Sequence, residues 1–258
     1  MGPHHLEQAA ALTNQGIAVL LIDPFHGRGI GSTVQDQGRL SWAASTYDVI
    51  AAVGFLRRYP KVDPARIGAV GSSRGGTAVM MAMSAQISDA FLGPSQGIKA
   101  GLAGYPWCGI QFWSSRLSRG AKLLLLSGDK DDWVSVQQCQ DAVHSLAQSG
   151  GDAQIMLFPG AHHAFDRSGV PPTTIADAPT STSFPTIYLN DQGTYVDPRS
   201  GRPDKKLTAA DFQRHASEAG FMHRGVTVGS IGAQANEYVT ELTRFMAEHL
   251  NAVTRSIP

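Results

Sequence analysis

The chain has 258 residues, with 21 Lys and Arg against 21 Asp and Glu, and 42% hydrophobic against 16% charged residues. That is the size and balance of one enzyme-sized globular domain. A neutral charge spread along the chain argues against a nucleic-acid binder or a polybasic membrane protein, because counterion release and steering both need clustered Lys and Arg, and apolar stretches such as residues 17–22 and 123–126 fall far short of the roughly 20 residues that span a bilayer.

Residues 1–5 carry no charged n-region, apolar h-region or cleavage site, so no secretory signal is read and the default location is cytoplasmic. Leu6, Ala9, Ala10 and Thr13 then fall at helical spacing with Gly16 as a C′ residue, and residues 17–22 read as a buried strand. Further strands are expected at 66–70, 98–104, 122–127 and 153–158. These are near-continuous apolar runs, the pattern of strands buried on both faces. Between them lie helical patterns at 42–58, with Tyr47, Ile50, Val53 and Leu56 inward, at 76–85 and at 135–148. The alternation places the chain in the α/β class, with a mostly parallel sheet covered by helices on both sides.

The last third changes character. Residues 171–185 are rich in Pro, Ser and Thr and read as loop, while 187–189 and 194–196 flank Asn190-Asp191-Gln192-Gly193 as a hairpin. Thr208 with Asp211 opens a short helix that Gly220 ends. Residues 234–250 form an amphipathic helix, with Ala235, Tyr238, Val239, Leu242, Phe245, Met246 and Leu250 on one face. One domain over 1–258 is expected, with an insertion at 167–230 before its final helix.

The strongest chemical signal follows the strand at 66–70. Gly71-Ser72-Ser73-Arg74-Gly75 fits G-x-S-x-G between an apolar strand and a small-residue helix, and only Ser73 has glycine on both sides at the required positions. A serine on such a turn sits in strained backbone with close neighbours, and the turn aims the Arg74 N–H at a developing oxyanion. Serine is a weak nucleophile without a base oriented by an acid. Both occur downstream, each just past a strand: Gly128-Asp129-Lys130-Asp131-Asp132, then Pro159-Gly160-Ala161-His162-His163-Ala164-Phe165-Asp166. By residue type alone Asp129, Asp131 and Asp132 all qualify as acid, and His162 and His163 as base. A calcium loop starting at Asp129 fails, because Val134 and Gln140 stand where glycine and glutamate are needed. Cys108 and Cys139 are too few for a disulfide framework and match no zinc spacing, so they read as buried small hydrophobes. No metal or cofactor is expected.

Asp23-Pro24-Phe25, Gly27-Arg28-Gly29, Tyr47-Asp48, residues 62–67, the turn at Ser73, Tyr105-Pro106-Trp107-Cys108 and the two loops just quoted together resemble the dienelactone hydrolase family of α/β-hydrolases. The resemblance runs from about residue 6 to 166 and resumes at 224–229. It implies Asp131 as acid and His163 as base, with Asp132 and His162 as runners-up, and it implies family-like positions for Cys108 and Cys139 that bring them near one another. Dienelactone-cleaving members use cysteine where this chain has Ser73, which shifts the expected substrate to ordinary carboxylic esters. Phe25, Arg28, Trp107 and Trp133 are expected at the pocket, with Arg28 a candidate for binding an acyl or carboxylate group.

The expected activity is hydrolysis of small, short-acyl esters, with the insertion narrowing the site. Lactone or dienelactone hydrolysis, peptidase-like amide hydrolysis and a catalytically silent binding protein are the alternatives. The expected partner is a small-molecule ester, with neither nucleic acid nor membrane, and a homo-oligomer is compatible with the sequence. The resemblance also implies a strand before the first helix, ending in a loop that supplies a second oxyanion N–H. Only residues 1–5 precede that helix, so the fold is expected to lack its first strands.

Overall fold

A computed structural model describes residues 2–180 and 182–250. In chain order it has α1 (Pro3–Asn14), α2 (Trp42–Leu56), β1 (Gly68–Ser72), α3 (Arg74–Met83), α4 (Ala85–Leu92), β2 (Ala100–Gly104), β3 (Ile110–Phe112), β4 (Lys122–Gly128), α5 (Val136–Gln148) and β5 (Asp152–Phe158). The region expected to be an insertion holds β6 (Thr173–Thr180), β7 (Ile187–Leu189), β8 (Val196–Asp197), β9 (Arg202–Pro203), α6 (Ala209–Glu218) and β10 (His223–Val228), and α7 (Gln234–Leu250) follows.

Strands β1, β2, β4 and β5 make one parallel sheet in the order β1-β2-β4-β5. The alternation of side chains along β4 divides the core. Leu124 and Leu126 join Leu12 of α1 and Tyr238, Leu242, Met246 and Leu250 of α7 on one face. Leu123 and Leu125 join Ile50 and Val53 of α2, Val79 and Met83 of α3, and Val143 and Leu146 of α5 on the other. With both faces covered, β2 and β4 are buried along nearly their whole length, as their apolar pattern requires, whereas the edge strand β5 leaves Met156 and Leu157 36% and 40% exposed, against the expected burial on both faces. Helix starts carry the expected signals: Ser41 accepts from the Ala44 amide at α2, and Ser135 accepts from the Gln138 amide at α5. Thr208 and Asp211 form a capping box at α6.

Several expectations change. Residues 17–22 form no strand and pair with none among the described residues, and Val19, Leu20, Leu21 and Ile22 are 36–45% exposed. An apolar run becomes a strand only where a neighbouring backbone takes its N–H and C=O groups; here β1 is the edge of the sheet. Tyr47 faces outward instead of inward, and meets Phe91 of α4 edge to face at 6.2 Å. The region 171–185, expected to be loop, contains β6, which pairs antiparallel with β10 across a register shift at Gly225. Asn190 and Thr194 close the expected turn, but β7 takes β3 as its ladder partner, in parallel, and meets Tyr195 only through one bridge. Cys108 and Cys139, expected as free thiols, form a disulfide between the loop after β2 and α5. Proximity is what the family-like positions imply; covalent pairing is what spacing could not reveal.

Candidate active site

The site starts from the turn at the end of β1. Ser73 has φ 52° and ψ −118°, a left-handed backbone that an L-residue adopts only when its surroundings over-determine it. They do here. The Ser73 amide donates to the Gly104 carbonyl at 2.8 Å, and the Ser73 carbonyl accepts from the Thr77 amide at 3.0 Å. The two glycines of the motif are not equivalent. A Cβ on Gly71 would lie 2.3 Å from the backbone of Gly75, whereas one on Gly75 would meet nothing within 4 Å. The steric requirement therefore falls on Gly71, and Gly76, beside the Gly71 and Gly104 carbonyls, is the tight position in the helix.

His163 Nε2 lies 2.9 Å from Ser73 Oγ, and His163 Nδ1 lies 2.8 Å from Asp131 Oδ2. The carboxylate can only accept, so Nδ1 carries the proton and Nε2 is left to receive that of Ser73. Asp131 Oδ1 accepts the amides of Trp133 and Val134, which fixes the carboxylate's own orientation. Both side chains are sealed, His163 at 2% and Asp131 at 0% exposure. The imidazole stands between two rings, with Tyr105 at 4.6 Å edge to face and Trp133 at 4.8 Å.

The neighbours left open by residue type do other work. Asp129 accepts the Gly160 amide across the two loops. Asp132 accepts both the amide and the hydroxyl of Thr227, at 2.7 and 2.9 Å, and so ties β10 to the acid loop. His162 Nδ1 meets the Lys130 carbonyl at 3.1 Å. β10 also bridges the base loop, pairing Val228 with His163 while the Gly229 amide donates to the His163 carbonyl. Asp131→Asn is therefore expected to cut kcat by about 10³–10⁴-fold through loss of the correct tautomer. Asp132→Asn should instead lower the melting temperature and leave kcat within about tenfold of wild type, because only the Thr227 bonds are weakened. Steady-state kinetics beside thermal melts separate the two, and equal losses of kcat would overturn the distinction.

The expected pocket residues divide. Trp133 lies on His163 as described. Trp107 lies tilted against Trp42 at 4.8 Å and meets Phe184 edge to face at 6.3 Å, while Thr77 bonds its amide and carbonyl. Arg28 is not presented to a substrate: its guanidinium makes a bidentate pair with Asp48 at 2.7 and 2.8 Å and donates to the Pro24 carbonyl. Phe25 sits half-buried in the same N-terminal loop, where its amide donates to Asp23. The Arg74 amide opens α3 directly after Ser73. The Arg74 side chain is buried against Trp42 at 4.2 Å, donating to the Leu40 and Gln37 carbonyls. Burial without a carboxylate partner pulls its pKa down to about 10.

Sequence reasoning missed Asp166, which is 1% exposed and accepts from Tyr105, Ser72 and Gln8. A charged residue directly after the fully buried Phe165 was the available signal. A groove of about 320 Å³ between the end of β5 and α7, lined by Met156, Leu157, Glu237 and Glu241 among others, holds none of the expected site residues.

The prolyl oligopeptidase family model matches residues 4–93, which include Ser73 and stop before the acid and base loops. An uncharacterized peptidase of Bacillus subtilis, YuxL, is 25% identical over 201 residues, covering 66% of this chain and 31% of that protein. The chain thus spans about a third of that relative's length. Two solved structures are similar at lower identity. One is a dienelactone hydrolase-like promiscuous phosphotriesterase from metagenomic libraries, with 19% identity, 64% of this chain and 68% of that one covered, and a TM-score of 0.48. The other is a dienelactone hydrolase from Anabaena variabilis, with 20% identity, 65% and 72% covered, and the same TM-score. The fold itself, a parallel sheet flanked by helices with a serine on the strand-to-helix turn, is that of the α/β-hydrolases, as the motifs imply.

Proposed function

We propose that this α/β-hydrolase is a serine hydrolase of small, short-acyl carboxylic esters, acting through an acyl-enzyme on Ser73. One observation carries the reading: a serine on a strained turn within 2.9 Å of a histidine whose other nitrogen is held at 2.8 Å by a buried carboxylate. Ser73 Oγ attacks the ester carbonyl carbon as its proton passes to His163 Nε2. The resulting oxyanion is stabilised by the Arg74 N–H at the start of α3. Collapse expels the alcohol, which takes the proton from His163. Water then enters, gives its proton to His163 and attacks the acyl carbon, and the acid leaves as Ser73 recovers its proton. Asp131 keeps its charge throughout and stabilises the imidazolium formed in both halves.

The short-acyl preference rests on the insertion. Phe184, Ile187 and Phe212 pack with Trp107 in one apolar cluster, so the insertion is anchored on the loop that follows β2, beside the serine turn. A second reading, hydrolysis of peptide bonds, is favoured by the prolyl oligopeptidase match and by the peptidase relative. A fluorophosphonate probe together with parallel panels of p-nitrophenyl esters and aminoacyl p-nitroanilides tests both. The expected result is Ser73-dependent labelling and ester turnover that falls as the acyl chain lengthens. Faster turnover of the anilides would select the peptidase reading. Labelling that survives Ser73→Ala, or no labelling and no turnover at all, would overturn the hydrolase reading and leave a binding protein.

A further inference from the structure

A second carboxylate lies behind the catalytic pair. Asp166 follows His163 by three residues on the same loop and is 1% exposed. Its Oδ1 accepts the Tyr105 hydroxyl at 2.6 Å, and its Oδ2 accepts the Ser72 hydroxyl at 3.1 Å and the Gln8 amide of α1 at 2.9 Å. Tyr238 of α7 lies 3.2 Å from Ser72 Oγ; since the Ser72 proton is given to Asp166, Tyr238 donates and Ser72 accepts. Burial, reinforced by the Asp166 charge, pushes the Tyr105 phenol well above its ordinary range, so it stays a donor. No acidic or basic side chain hydrogen-bonds Asp166 among the described contacts, so this buried acid is held by neutral donors alone.

The two hydroxyls on this carboxylate belong to the two sides of the proton transfer. Ser72 is the residue before the nucleophile. Tyr105 is the ring that stands 4.6 Å from the imidazole. Tyr105 is also held at φ +34°, left-handed for a bulky side chain, while its amide donates to the Leu126 carbonyl. A position so unfavourable for an aromatic residue is kept only where the surroundings fix it, and such strain gathers at functional sites. Packing alone would place a ring here without the cost of a buried carboxylate.

Resting on the Ser73 and His163 reading, we infer that Asp166 is a positioning residue: it clamps Tyr105 and Ser72 together and so sets the distance and angle at which the His163 ring meets Ser73. Asp131 orients the imidazole through Nδ1, and Asp166 restrains its plane and height through the Tyr105 ring. His163 is faced by Asp131, Ser73, Tyr105 and Trp133. Asp166 is faced by Tyr105, Ser72, Gln8 and, through Ser72, Tyr238; His4 and His5 of α1 feel its charge and that of Arg167.

The test compares Tyr105→Phe, which keeps the ring and loses only the hydroxyl, with Asp166→Asn and with Val143→Ala, a core change in α5. Each is assayed on a short p-nitrophenyl ester well below its own melting temperature, with rates expressed per site titrated by a fluorophosphonate. Tyr105→Phe and Asp166→Asn should each lower kcat by about 10- to 100-fold with little change in KM, the scale of a misplaced catalytic group. Their double variant should lose much less than the product of the two, because they break one bond. Val143→Ala, which destabilises the core without touching the site, should keep kcat per site. Wild-type kcat per site in Tyr105→Phe and Asp166→Asn overturns the clamp while leaving the Ser73 reading intact. Should Asp166→Asn fail to fold, Tyr105→Phe alone decides through kcat per site. Turnover that persists in Ser73→Ala overturns the Ser73 reading and the clamp with it.

Discussion

Ser73→Ala is expected to lower kcat on a short p-nitrophenyl ester by about 10⁴–10⁶-fold, the range found when a triad nucleophile is removed. His163→Ala should fall as far, and the double variant no further, because the two act as one unit and the residual rate comes from binding and the oxyanion donor. His162→Ala provides the internal contrast. Its ring meets the Lys130 carbonyl of the acid loop and not Ser73, and its loss should leave kcat within a few-fold of wild type. Purified variants of matched secondary structure, assayed under saturating ester, give the comparison directly. A His162→Ala protein as dead as His163→Ala would remove the base assignment, and substantial turnover in Ser73→Ala would remove the nucleophile.

Removing the disulfide is expected to produce the largest loss of stability. Cys108 and Cys139 are 31 residues apart and both about 1% exposed. Closing a loop of that length restricts the unfolded chain by about 3–4 kcal/mol on the chain-entropy account, which for a protein of this size corresponds to a melting temperature lower by about 10 °C. Cys108→Ala with Cys139→Ala, or melting in dithiothreitol, should show this drop. Denatured, unreduced protein should take up no maleimide, and reduced protein two per chain. An unchanged melting temperature, or thiols that react before reduction, would sink the prediction. Activity should fall as well, because the bridge anchors to α5 the loop that carries Tyr105 and Trp107. A buried disulfide also sits badly with the cytoplasmic default, since cytosolic thiols are kept reduced. Among the described residues no helix is long and apolar enough to cross a membrane.

How much of this was readable in the sequence depends on how local the cause is. The final helix is legible in its bounds and register because that register is written in one periodic stripe; Ala235, Tyr238, Leu242, Phe245, Met246 and Leu250 are buried as expected, and Val239 of the expected face is half-buried. The turn at Ser73 is legible because a glycine at 71 answers a clash with backbone only four residues away. Residues 17–22 read as a strand and are not one, because an apolar run reports a wish for burial and says nothing about which backbone pairs with it. Likewise β6 was hidden in a Pro- and Thr-rich stretch whose partner, β10, lies some fifty residues on.

The site shows the same division. Sequence alone located the proposed nucleophile, the order serine, acid, histidine, and the two loops that hold the latter pair, since each follows an apolar strand and needs only local pattern to be found. Which aspartate and which histidine join Ser73 in one hydrogen-bonded chain, that Arg28 is spent on Asp48, that the cysteines are joined, and that Asp166 stands behind Ser72 and Tyr105 were decided by tertiary structure. Side chains one residue apart differ in direction only once the loop's path is set, and that path is drawn by Asp129, Asp132 and β10 from elsewhere in the chain.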